Sequence, residues 1–386
     1  MASLRLLLLF CFFIAAPVLA QEVSPELQEA AKLHQAGKLD QAIGIYSKVL
    51  QDDAVPPAQR AGALLMRGRA LYQKRDLKGA AADYEAAIAL APDNALAYLS
   101  RGALKAELKD FEAALPDFDR VLAVRPDFLP AVVARARVLT ELRRYGEVAA
   151  TWGRVLAMHP NDPAVLHQRG VAYSAAGDRV QALRDFDAAL GVAPGRPEIL
   201  LDRASVRANA GDYADALADV EQAILVAPTE AAPFRLRGRV RFEQGDYPAA
   251  IADFTTADAA AALKGRRDPY IVLWLHMARL RSGAADTADL RKRLDGVDLD
   301  AWPGPIARHY LGEASIEAVV SAAEAVPEGV LRNERLCEAY FYLGEAELAA
   351  GQLVAGEALL RKAAATEATW FVEWSTARAE LARLPR

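Results

Sequence analysis

The chain has 386 residues, a formal net charge of −5, and 25% charged residues of both signs. Mild, interspersed acidity excludes the basic stripe that nucleic-acid binding needs. Its two cysteines, Cys11 and Cys337, are too few for a disulfide-stapled scaffold.

Residues 1–20 read MASLRLLLLFCFFIAAPVLA. Arg5 supplies the positive end, Leu6 to Ile14 the apolar core, and Val18-Leu19-Ala20 a small-residue cleavage site, which predicts a secretory signal cut after Ala20. The apolar run falls short of the ~20 residues of a membrane span and is broken by Pro17. Cys11 lies inside that run rather than after a lipobox, so the expected mature chain is exported, non-lipidated and not membrane-spanning. Losing Arg5, the only charged side chain of the segment, leaves a net charge of −6.

From Ala61 to Ala262 a unit of 34 residues recurs without a gap, closed by Pro92, Pro126, Pro160, Pro194 and Pro228. Such a period predicts an all-α solenoid of stacked helix pairs. With the closing proline at position 32, position 8 is small (Gly68, Gly102, Ala136, Gly170, Ala204, Gly238), and so is position 20 (Ala80, Ala114, Ala182, Ala216, Ala250) except at Val148. Two antiparallel helices can cross closely there. Position 24 is large (Tyr84, Phe118, Trp152, Phe186, Val220, Phe254) and is expected to fill space between neighbouring pairs. Position 16 is Asp76, Asp110, Asp178, Asp212 or Asp246, the expected cap of each second helix. An earlier unit begins at Val23, separated by an insertion at 53–58 that contains Pro56-Pro57.

Small-8, small-20, aromatic-24 and Pro-32 together resemble the tetratricopeptide repeat. The resemblance implies a right-handed superhelical solenoid whose concave wall, lined by the first helices, binds a peptide or extended segment. Domain expectations follow: a signal at 1–20, seven repeat units over 21–262, a degenerate helical segment at 263–335, and a final repeat-like unit with a capping helix at 336–386.

An arginine ladder at position 7 (Arg67, Arg101, Arg135, Arg169, Arg203, Arg237) runs in step with aspartate at position 23 (Asp83, Asp117, Asp185, Asp219, Asp253). Their co-occurrence predicts repeated structural ion pairs rather than a cationic binding stripe. Thr151 replaces the aspartate opposite Arg135, so that arginine is expected to lack a counter-charge. Positions 2, 5, 9, 12 and 13, which face the concave side in the resembled fold, give the candidate partner-binding residues Arg69, Tyr72, Arg137, Glu141, His167, Arg235, Arg239 and Phe242. Arg235 and Arg239, one turn apart on a single face, could hold a carboxylate.

After Ala262 the period breaks, with an apolar helix expected over Pro269 to Arg281, and returns from Cys337. Trp274, Trp302, Trp370 and Trp374 crowd this third and are read as core filler. Cys337, expected at a helix start, is read as a buried packing residue. The segments WPGPIARHYLGEAS (from Trp302), LCEAYFYLGEAELAAG (from Leu336) and FVEWSTARAEL (from Phe371) look like the C-terminal region of bacterial new-lipoprotein-I-type proteins. Those are envelope adaptors that scaffold peptidoglycan hydrolases and help deliver them for proteolysis. The resemblance implies a periplasmic protein whose partners are other envelope proteins, peptidoglycan hydrolases or proteases among them. No lipidated cysteine follows the signal, so membrane anchoring is not carried over.

No phosphate loop, HExxH, CxxC or serine elbow is present, and His34, His159, His167, His276 and His309 are scattered. The expectation is a non-enzymatic binding scaffold without cofactor or metal. A scaffold subunit of a polysaccharide-export or outer-membrane assembly machine is the alternative.

Overall fold

The computed structural model describes residues 24–265, 267–366, 368–369 and 371–385. The export signal expected at 1–20, Val23 at the start of the first unit, and Trp370 lie outside them. The described chain is helical, and its contacts fall into two units that divide after Ala172. Among the described residues no helix is long and apolar enough to cross a membrane.

In the first unit, α1 (Pro25–Gln35) packs on α2 (Leu39–Gln51), α3 (Pro57–Gln73) on α4 (Leu77–Leu90), α5 (Ala95–Glu107) on α6 (Phe111–Val124), and α7 (Leu129–Glu141) on α8 (Tyr145–Met158). Helix α6 runs through Pro116 without a break. The division between units falls within α9 (Pro163–Ala175). The second unit continues with α10 (Arg179–Val192), α11 (Pro197–Asn209), α12 (Tyr213–Val226), α13 (Ala231–Glu243) and α14 (Tyr247–Leu263). There α11 pairs with α12, and α13 with α14.

Position 8 and position 24 meet inside one pair. A Cβ built on Gly102 would stand 2.8 Å from the Phe118 ring, and one on Gly238 would stand 2.9 Å from the Phe254 ring. The aromatic residue therefore lies over the glycine of its own pair, rather than only between pairs as expected, and this contact sets how closely the two helices approach.

The turn between the helices needs a left-handed residue. Gly211 and Gly245 supply it at φ 84° and 81°, whereas Arg75, Lys109 and Arg143 adopt φ 69°, 63° and 57° without glycine's freedom. Asp76, Asp178 and Asp246 cap the following helices through Gly79, Gln181 and Ala249 N–H. Asp110 and Asp212 make no such side-chain cap; Asp212 instead faces Arg179 at 3.4 Å.

The ladder also closes within pairs. Arg67 reaches Asp83 at 2.7 Å, Arg101 reaches Asp117 at 2.7 Å, Arg203 reaches Asp219 at 2.6 Å and Arg237 reaches Asp253 at 2.7 Å. A second cation at position 11 shares three of these buried carboxylates: Lys105 on Asp117, Arg207 on Asp219 and Arg241 on Asp253. Arg135 does not lack a counter-charge as expected. Its Nε donates to Asp119 of α6 at 2.7 Å, and its Nη1 to the Thr151 hydroxyl at 2.5 Å.

Seven further helices complete the second unit: α15 (Pro269–Arg281), α16 (Thr287–Arg293), α17 (Gly304–Tyr310), α18 (Ile316–Glu324), α19 (Val330–Ala349), α20 (Leu353–Ala365) and α21 (Val372–Arg383). Trp274 of α15 is the hub of their core. Its ring centroid lies 5.5 Å from Phe242, 5.8 Å from Phe254 and 5.4 Å from Phe341. Because α19 starts at Val330, Cys337 sits two turns inside it, not at the helix start; it is fully buried, and burial pushes its thiol up to about 12.

Helix α21 covers α19 and α20 and also returns to α11 and α13. Thr376 donates to Glu243 at 2.7 Å, and Arg383 donates to the carbonyls of Phe242 and Glu243 at 3.1 and 2.9 Å. Beneath it, Arg281 of α15 lies between Glu345 of α19 at 2.5 Å and Glu380 of α21 at 3.1 Å. These bonds clamp three helices with one largely covered guanidinium.

Candidate interaction site

The second unit contains a cavity of about 500 Å³ bounded by α11, α13, α14, α15, α19 and α21. Repeat positions 2, 5 and 9 supply its inner wall: Glu198, Leu201 and Ser205 from α11, then Ala232, Arg235 and Arg239 from α13. These positions share one helix face because each lies three or four residues from the next. Tyr270 and Trp274 of α15, Glu338 of α19, and Val372 and Glu373 of α21 close the other side.

The two arginines differ in situation. Arg235 is half-exposed at the rim, 3.5 Å from Asp268. Arg239 is 4% exposed; its Nη1 donates to Asn209 at 2.8 Å and lies 3.6 Å from Glu243. Its Nε–H is buried without an acceptor.

The acids of the opposite wall have neutral donors only. Glu338 accepts from the Trp302 indole N–H at 2.5 Å and from the Tyr270 hydroxyl at 3.1 Å. Burial, followed by the neighbouring Glu373 charge, pushes Glu338 up to about 8. Glu373 accepts from the Tyr342 hydroxyl at 3.3 Å, and burial raises it above the usual carboxylate range. Among the described residues neither acid has an ion-pair partner.

The structure gathers some of the sequence candidates and separates others. Arg235 and Arg239 stand together on the cavity wall. Phe242, expected on an open wall, is fully covered, with its ring 5.2 Å from Tyr247 and 5.5 Å from Trp274. In the first unit Arg69 and Tyr72 are buried, the Tyr72 hydroxyl donating to Glu107. Burial raises the neighbouring Tyr46 and Tyr84 hydroxyls, and the Arg69 charge opposes this. Arg137 is half-buried, Glu141 exposed and His167 half-buried. Sequence reasoning missed Glu338 and Glu373. A readable signal exists in the spacing of seven from Glu338 to Glu345 and from Glu373 to Glu380, which puts each pair on one helix face.

Stacked antiparallel helix pairs with glycine under aromatic at fixed spacing define a helical-repeat protein. Models described as TPR repeat and tetratricopeptide repeat match residues 68–109, and residues 167–235 and 201–270. Those stretches are tetratricopeptide repeats. It resembles the lipoprotein NlpI homolog of Haemophilus influenzae, with 35% identity over 122 residues, 31% of this chain and 38% of that protein. The match thus spans about two fifths of the relative's length. Among solved structures, a tetratricopeptide repeat protein from Parabacteroides merdae is 20% identical with TM-score 0.45, covering 66% of this chain and 97% of the other. MamA from Desulfovibrio magneticus is 16% identical with TM-score 0.38, covering 45% and 96%.

Proposed function

We propose that this protein is a non-enzymatic adaptor of the bacterial periplasm. It gathers envelope proteins, peptidoglycan-remodelling enzymes among them, by holding segments of them on its repeat surface. The observation that carries the reading is the cavity wall, where positions 2, 5 and 9 of α11 and α13 present charged and apolar side chains around about 500 Å³ of open space. That is room for a few residues of an extended chain, with polar groups to fix its register. The export signal and the likeness to a lipoprotein NlpI homolog support the envelope setting.

Affinity capture from the periplasmic fraction, on the wild type and on Arg235→Glu, tests this. Envelope proteins should be retrieved by the wild type and depleted by the variant. A protein that stays in the cytoplasm, or that captures nothing above background, contradicts the proposal.

A further inference from the structure

The cavity carries two deeply buried acids, Glu338 and Glu373, on the wall opposite Arg235 and Arg239. Both arginines already face acids outside the lining, Asp268 and Glu243. Glu338 and Glu373 are 5% and 6% exposed, and their donors are an indole and two phenols. Arg239 and Arg235 oppose the burial of Glu373 only through space, and among the described residues no ion pair reaches either acid. Burying two neighbouring acids so weakly matched is costly, and such groups concentrate where a ligand completes the charge.

We propose that the cavity takes a basic side chain, lysine or arginine, of a partner polypeptide, with its cationic head at Glu338 and Glu373. The alkyl stem lies along Val372 and the faces of Tyr270 and Trp274, whose π electrons add to the attraction. The buried Arg239 Nε–H, which lacks an acceptor, takes a backbone carbonyl of the same segment. An organic cation is favoured over a metal ion because, among the described residues, no three His, Cys, Asp or Glu side chains are grouped to hold one. A volume of about 500 Å³ admits a few residues and excludes a folded domain. This assignment rests on the adaptor reading and adds what the partner segment must carry.

The Trp302 indole N–H is a built-in reporter, since it donates directly to Glu338. Full-length protein labelled with 15N at tryptophan is titrated with Nα-acetyl-lysine amide, Nα-acetyl-norleucine amide and Nα-acetyl-glutamate amide. The lysine compound should shift the Trp302 and Trp274 indole signals saturably, at least about tenfold more tightly than norleucine, equivalent to about 1.4 kcal/mol. Glu338→Gln and Glu338→Gln/Glu373→Gln should lose that preference while keeping the folded spectrum. Equal shifts from norleucine, a preference for glutamate, no shift at all, or a preference retained in the double variant would each overturn the assignment. Because the wild-type comparison needs no variant, a misfolded double variant leaves the test intact. A protein that captures envelope partners yet fails this titration loses only the basic-side-chain assignment. One that passes it yet captures nothing loses the adaptor reading.

Discussion

The Trp302 indole N–H donates to the Glu338 carboxylate at 2.5 Å across 36 residues, joining the turn before α17 to the cavity wall on α19. This is the shortest described bond to that acid, the other donor being Tyr270. Trp302→Phe leaves the buried acceptor with one donor, and should cost about 1–3 kcal/mol in denaturant unfolding. In a double-mutant cycle with Glu338→Gln the two changes should be non-additive; simple additivity would show that the bond carries no energy.

Burial raises five glutamates of the second unit above the ordinary carboxylate range: Glu338 and Glu345 to about 8, with Glu243, Glu373 and Glu380 also raised. The folded state therefore holds protons that the unfolded chain has released above the ordinary glutamate value of 4.5. Their stabilising contribution is complete below that value and is lost as pH rises through about 8. His34 and His276 are lowered by burial and act in the opposite sense, but below about 6.5, so they are silent in this window. The melting temperature should fall as pH rises from about 6.5 to about 8 and level off above that, and Glu338→Gln should flatten the fall. A melting temperature that rises over this range would contradict the assignment.

Each ladder aspartate holds two cations at once where position 11 is basic. Asp219 accepts from Arg203 at 2.6 Å and Arg207 at 2.7 Å, and its side chain is 5% exposed. Asp219→Ala leaves both guanidinium groups half-matched, and should destabilise the protein by about 3 kcal/mol in chemical denaturation. Asp187, which also faces Arg203 at 2.6 Å, is more exposed, and its removal should cost about 1 kcal/mol or less.

The Gly102–Phe118 contact gives a packing test. Gly102→Val places branched carbon where even a Cβ meets the ring at 2.8 Å, so it should destabilise by about 1–3 kcal/mol. Adding Phe118→Leu should recover part of that loss. A valine variant as stable as the wild type would show that the ring yields freely.

The periodic part of the chain was readable because its contacts repeat. Arg67–Asp83 and Gly68–Tyr84 are both 16 apart, and the same offset recurs down the array. Lys105, Arg207 and Arg241 carry the same signal at position 11 and could have been read with the ladder. The cavity was half-legible: Arg235 and Arg239 follow from repeat position, whereas Glu338 and Glu373 look like ordinary helix-surface acids. What buries them is the return of α21 onto α13, through contacts such as Thr376–Glu243 that are 133 residues apart and belong to no period. The same return turns Phe242 from a wall residue into core.

The central claim, that partners bind at the cavity rim of the second unit, is tested most directly by site-specific photo-crosslinking in cells exporting the protein. A crosslinker replaces Arg235, half-exposed at the rim, or Val354 on α20, which is 85% exposed and away from the lining. Discrete partner adducts are expected from position 235 and none from position 354. Adducts at 354 without adducts at 235, or none at either, would contradict it.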